Sequence, residues 1–135
     1  MVTTEDWEVT AIDMLRGEDA WTVVLDANQF NDPPAEGMEY ILVKIRARYI
    51  GTADDYESID GFYFESTGEN KVIYDLPSVV DPYPVFDCAL FPGGVCEGWV
   101  TLRISRLHER RCAEDLQRAG EGFAECVRVK GRHLP

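Results

Sequence analysis

The side chains able to do chemistry fall into three groups. Cysteines stand at 88, 96, 112 and 126, the first two closing the glycine-rich stretch Cys88-Ala-Leu-Phe-Pro-Gly-Gly-Val-Cys96. Carboxylates and amides crowd two segments: Asp54, Asp55, Glu57 and Asp60 in one, and Asp26, Asn28, Asn31, Asp32 and Glu36 around Pro33-Pro34 in the other. Ser105 and His108 form the one close pairing of a hydroxyl with an imidazole in sequence.

Each group suggests a chemistry that its spacing then tests. A phosphate-cradling loop reads Gly-x-x-x-x-Gly-Lys-Ser/Thr and opens a helix. Here Gly93-Gly94 leads into Val95-Cys96-Glu97 and a β-like run, with no lysine and a carboxylate where phosphate would sit. A redox pair places its cysteines two residues apart, whereas Cys88 and Cys96 are separated by eight positions. Pro92 fixes φ and glycine accepts positive φ, so the stretch reads as a hairpin turn carrying a Cys88–Cys96 disulfide. Cys112 and Cys126 form a second candidate pair, and four cysteines permit 3 connectivities. A zinc site needs CxxC or clustered histidines, and His108 and His133 stand alone. No Gly-x-Ser-x-Gly elbow surrounds Ser105, so the chain reads as non-catalytic.

The acidic segments invite calcium, a hard cation that takes several oxygen ligands. The EF-hand register fails: with Gly61 at loop position six, Tyr56 and Thr67 would occupy positions one and twelve. A site formed between two loops stays open, so a calcium-stabilised accessory or assembly domain of an envelope complex is the alternative to a plain binding module. As a recognition surface, the sequence offers Asn28, Asn31 and Asp32 together with Asp54, Asp55 and Asp60. Lys44, Arg46 and Arg48 make a basic stripe, read as pairing with nearby acids across strands.

The net charge is −12 over 135 residues. That excludes a nucleic-acid partner, which demands clustered Lys and Arg, and disfavours anionic membrane surfaces. A protein or glycan ligand remains. Residues 1–105 hold 6 basic and 20 acidic side chains, and residues 106–135 hold 7 and 5, so the net charge shifts from −14 to +2 at that boundary. No apolar run approaches the ~20 residues of a bilayer span. The first six residues are acidic and polar, with neither a basic nor an apolar leader region. A mature domain given a start methionine would look the same, so compartment is read from the cysteines: an even number without metal spacing indicates an oxidising, extracytoplasmic setting.

The elements that must position these groups read as strands. Residues 39–50 alternate Ile41, Val43, Ile45, Ala47 and Tyr49 with Leu42, Lys44, Arg46 and Arg48, the period-two signature of a strand with one wet face. Residues 7–15, 20–26, 61–66, 71–74 and 95–104 read as further strands, the third and fourth joined in a hairpin. Short strands between turns, without helical period before residue 105, predict an all-β antiparallel sandwich. Leu107, Cys112, Leu116 and Ala119 have the spacing of a short amphipathic helix, and residues 123–130 read as a final strand.

Trp7-Glu-Val-Thr10, the loop Asn28-x-Phe30-Asn31-x-Pro33-Pro34-x-x-Gly37-x-x-Tyr40, and Leu90-Phe-Pro-Gly-Gly94 with Glu97-Gly-Trp-Val100 follow in order. In this the chain resembles a family of uncharacterised bacterial immunoglobulin-like domains. These belong to exported lipoproteins and surface proteins, and are related in fold to the secreted immunoprotective antigen of mycobacteria. The resemblance covers roughly residues 6–105 and implies an immunoglobulin-like β-sandwich (1–105) displayed outside the cytoplasm, without assigned catalytic residues. It does not reach the basic C-terminal extension (106–135), where members of the family continue with an acidic linker and an apolar strand.

Overall fold

β3 (Met38–Tyr49) is the central element of the computed structural model, which describes residues 2–52, 54–67, 72–106 and 127–129. It lies between β2 (Trp7–Arg16) and β7 (Val95–Ser105), both antiparallel to it, and β1 (Val2–Thr3) completes the order β1-β2-β3-β7. Val43 pairs with Met14 on one side and with Val100 on the other, so apolar residues of three strands line up on one face. A bulge between Ala11 and Asp13 shifts the inward position of β2: Trp7, Val9 and Ala11 face the core before it, and Met14 after it.

That face is covered by two small antiparallel pairs. β4 (Glu57–Asp60) pairs with β6 (Asp87–Leu90), and β5 (Phe64–Ser66) with β8 (Val127–Val129). Ile59, Phe64, Phe86, Cys88 and Val127 bring their side chains into one cluster with Ile41, Val43, Ile45, Val100 and Leu102. Phe64 and Phe86 meet edge to face at 5.6 Å, a favoured aromatic arrangement. The final-strand expectation thus holds at Val127–Val129. The predicted helix, Cys112, Cys126, His108 and His133 lie outside the described residues.

The opposite face carries a helix, which corrects the all-β reading. Residues 20–26, expected as a strand, belong to α1 (Gly17–Ala27). Their β-branched and aromatic content suits a strand, yet Ala20 and Val24, four apart, are both fully buried against Tyr40 and Leu42. Glu18 and Asp19 in the first turn suit the positive end of the helix dipole. The helix also explains why β3 is buried on both faces at its start, where Tyr40, Ile41, Leu42 and Val43 are all buried. Beyond α1 the expected alternation returns, and Arg46 and Arg48 are exposed. At the same end of the sheet, Arg16 donates from Nε and a terminal nitrogen to the two oxygens of buried Glu39, each at 3.1 Å.

The glycine-rich stretch is a turn. Gly94 N–H donates to the Phe91 carbonyl at 2.9 Å, with Pro92 second and Gly93 third at φ +88°, the geometry of a type II turn. Cys88 and Cys96 are disulfide-bonded. They do not face each other across a hairpin, as the sequence suggested: β6 pairs with β4 and β7 with β3, so the bridge links two different sheets. Of the expected 61–66/71–74 hairpin, the described residues show a bridge between Ser66 and Tyr74, and Gly61–Tyr63 form a 3-10 turn rather than strand.

Candidate recognition cleft

β7 forms the outer edge of the four-stranded sheet, and such edges expose unpaired backbone groups unless covered. The irregular segment 75–86 covers this one. Trp99 N–H donates to the Pro84 carbonyl (2.8 Å), Phe86 N–H to the Trp99 carbonyl (3.2 Å), and the Arg103 guanidinium to the Asp75 carbonyl (2.8 Å). Gly98 is required where they cross: a Cβ there would sit 2.4 Å from the Phe86 nitrogen and Cα.

Between these crossing points the segment stands off from the strand and leaves a cleft of about 610 Å³, within the ~300–1,000 Å³ range of ligand sites. Val100 and Thr101 form its floor, residues 76–81 one wall, the Asn28–Asn31 turn another, and Asp60, Gly61 and Phe62 a third. Phe30 and Phe62 are 83% and 74% exposed, unusual for phenylalanine.

Asn31 positions the first wall. Its amide nitrogen donates to the Val24 carbonyl at the end of α1 (2.9 Å) and to the Val80 carbonyl (3.0 Å), and its oxygen accepts from Val80 N–H (2.8 Å). One buried side chain thus caps a helix carbonyl and imitates a strand partner for Val80. Asn28 orders the turn by accepting from Phe30 N–H at 2.8 Å, and so presents the Phe30 ring. Asp60 does the same on the far wall, accepting from Phe62 N–H at 2.9 Å.

Asp81 accepts from Thr101 N–H at 3.1 Å and thereby occupies the backbone edge of β7. Burial raises its pKa above the ordinary carboxylate value, with the Thr101 hydroxyl and N–H beside it pulling the other way. The hydroxyl lies near that carboxyl, yet closes no hydrogen bond of sound geometry and stays buried without a partner. Asp87 lies at the rim, directly opposite Asp60 in the β4–β6 register.

Of the residues expected in a recognition surface, the fold brings Asn28, Asn31 and Asp60 to this one cleft. Asp32, Asp54 and Asp55 do not line it. The Asp32 carbonyl accepts from the Tyr40 hydroxyl at 2.9 Å, and burial raises the Tyr40 pKa. Asp54 and Asp55 are exposed ahead of β4, where Asp55 accepts from Tyr56 N–H. Sequence reasoning passed over Asp81, Asp87 and Thr101. No motif marks them, and only the prolines around Asp81 hinted at an irregular segment.

The two arginines of the basic stripe pair with acids across strands as expected, whereas Lys44 meets an aromatic ring. Lys44 stands 5.9 Å from the Trp99 ring, Arg46 is 2.6 Å from Glu97, and Arg48 is 3.9 Å from Glu8. Among the described residues, no three His, Cys, Asp or Glu side chains stand close enough to share a metal ion. None of the described helices is long and apolar enough to cross a membrane. No family model matches this chain, no curated relative matches it, and no solved structure matches it.

Proposed function

We propose that this protein is a non-catalytic, extracytoplasmic binding module of a bacterial surface or secreted protein, built on an immunoglobulin-like sandwich. It recognises a partner protein in the cleft at the edge of β7. The observation that carries this reading is the pair of exposed phenylalanines, Phe30 and Phe62, each held out by a side-chain hydrogen bond from its own turn over a formed cleft. Exposed aromatics rimming a concave site are the usual anchors of protein recognition. The Cys88–Cys96 bridge supports an oxidising compartment, and the bacterial surface setting rests on the family resemblance.

Random peptides displayed on phage, selected on the full chain, test the reading. Enriched peptides should lose most of their binding to Phe30→Ala and Phe62→Ala, both exposed changes expected to alter stability by less than about 0.5 kcal/mol. Peptides that bind these variants as well as the unaltered chain would overturn it.

A further inference from the structure

We infer that the cleft takes an arginine side chain of a partner protein, its guanidinium set among Asp60, Asp81 and Asp87 with the rings of Phe30 and Phe62 alongside. This deepens the recognition role proposed above and rests on it.

Charge complementarity is the first ground. Three carboxylates line the cleft, and no lysine, arginine or histidine is among its described lining residues. Asp60 and Asp87 are direct cross-strand partners, an arrangement in which like charges repel. Asp81 has no ion pair among the described residues, and its burial disfavours the charged form. An arriving cation would relieve both costs.

The second ground is the Thr101 hydroxyl. Thr101 is 3% exposed and lines the cleft, and its hydroxyl, though beside the Asp81 carboxyl, closes no hydrogen bond of sound geometry. A buried polar atom without a partner costs free energy that a ligand donor recovers.

Shape then chooses between cations. Calcium gathers about 6–8 oxygens into one shell, whereas these carboxylates do not converge on a point. A guanidinium distributes five donors over a plane and stacks on aromatic rings, which suits acids spread along a cleft with phenylalanine at its rim. The volume of about 610 Å³ exceeds one side chain and leaves room beside half-exposed Val80 for an apolar neighbour of the arginine.

The test is titration of the 15N-labelled full chain with acetyl-Gly-Leu-Arg-Leu-Gly-amide, and with the same peptide carrying citrulline, the neutral isostere. The arginine peptide should shift the amide signals of Phe62, Val80 and Thr101, and citrulline should weaken binding at least about tenfold. Asp81→Asn should weaken it about tenfold and Asp87→Asn about threefold. The asparagine at 81 keeps an acceptor for Thr101 N–H, so an unchanged amide spectrum elsewhere separates lost binding from lost fold. Equal binding of the citrulline peptide would overturn the cation reading and leave the cleft as a recognition site. Silence from both peptides at about millimolar concentration would overturn the arginine assignment. If the phage-selected peptides also ignored Phe30 and Phe62, the recognition role would fall with it. Displacement of the arginine peptide by calcium chloride at about the same concentration would name a point cation as occupant, and so overturn the proposal.

Discussion

Asn31 and Asp81 hold the same stretch of chain from two sides. Asn31 grips Val80 through both backbone groups and caps α1. Asp81, one residue on, reaches to Thr101 N–H on β7. Asn31 is neutral, buried and makes three hydrogen bonds, so its role as a staple is complete within the molecule. Asp81 sits where burial works against its charge, without an ion pair among the described residues and with an unsatisfied hydroxyl beside it. A side chain whose bonds are complete is structural. One left without an ion pair in the wall of a cleft is the candidate for meeting a ligand under the arginine proposal.

Segment 75–86 lies on β7 only because residue 98 has no side chain, so Gly98→Ala should be the most damaging single change. The new methyl group would meet the Phe86 backbone at 2.4 Å. Since backbone cannot yield as a flexible side chain does, a loss of about 3 kcal/mol is expected. A urea midpoint equal to that of the unaltered protein would mean that the segment does not cross there.

Next in size, Cys88→Ala with Cys96→Ala should cost about 2–3 kcal/mol by the loop-entropy argument. The bridge joins β6 to β7 with Cys88 next to Asp87 at the cleft rim. Val80 and Thr101 are nonetheless held by Asn31 and Asp81, so their amide signals should persist at temperatures where the variant is folded. Asn31→Ala should cost about 2 kcal/mol, because the Val80 N–H and carbonyl lose their side-chain partner and the Val24 carbonyl keeps only the long bond from Asn28 N–H. That loss should be constant between about pH 5 and pH 8, where an amide does not titrate. A change of under about 0.5 kcal/mol would remove Asn31 as the staple.

Legibility divides along the same line. β3 was readable because alternation over residues 41–49 has one meaning, and the Pro-Gly-Gly turn because proline fixes φ and glycine alone accepts positive φ freely. Residues 20–26 misled: Trp21, Val23 and Leu25 alternate as a strand would, while Ala20 and Val24 satisfy a helix. What decides is the cover that Tyr40 and Leu42 require. Cys88 and Cys96 were legible as a bridge, yet which sheet each strand joins depends on pairing with β4 and β3, far off in sequence. Asn28, Asn31 and Asp60 could be suspected from type and loop position. Asp81 could not, because an isolated aspartate between valine and proline carries no signal until the strand edge it caps is known.

Asp81→Asn has the smallest expected effect on stability and the clearest dependence on pH. Asp81→Asn keeps an acceptor for Thr101 N–H and removes the charge, so pH separates the two proteins. Burial raises the Asp81 pKa in the folded state above its ordinary value of 3.8, so the native protein holds its proton more tightly than the unfolded chain does. Its protonation therefore stabilises the fold fully below pH 3.8, and this contribution is lost as pH rises through the raised value. The stability of the unaltered protein minus that of Asp81→Asn should fall across that window and stay flat above it. A difference that grew with pH would mean that the bond from Thr101 N–H outweighs burial. Asp81 would then be a second completed staple, and the asymmetry that singles it out as ligand-facing would vanish.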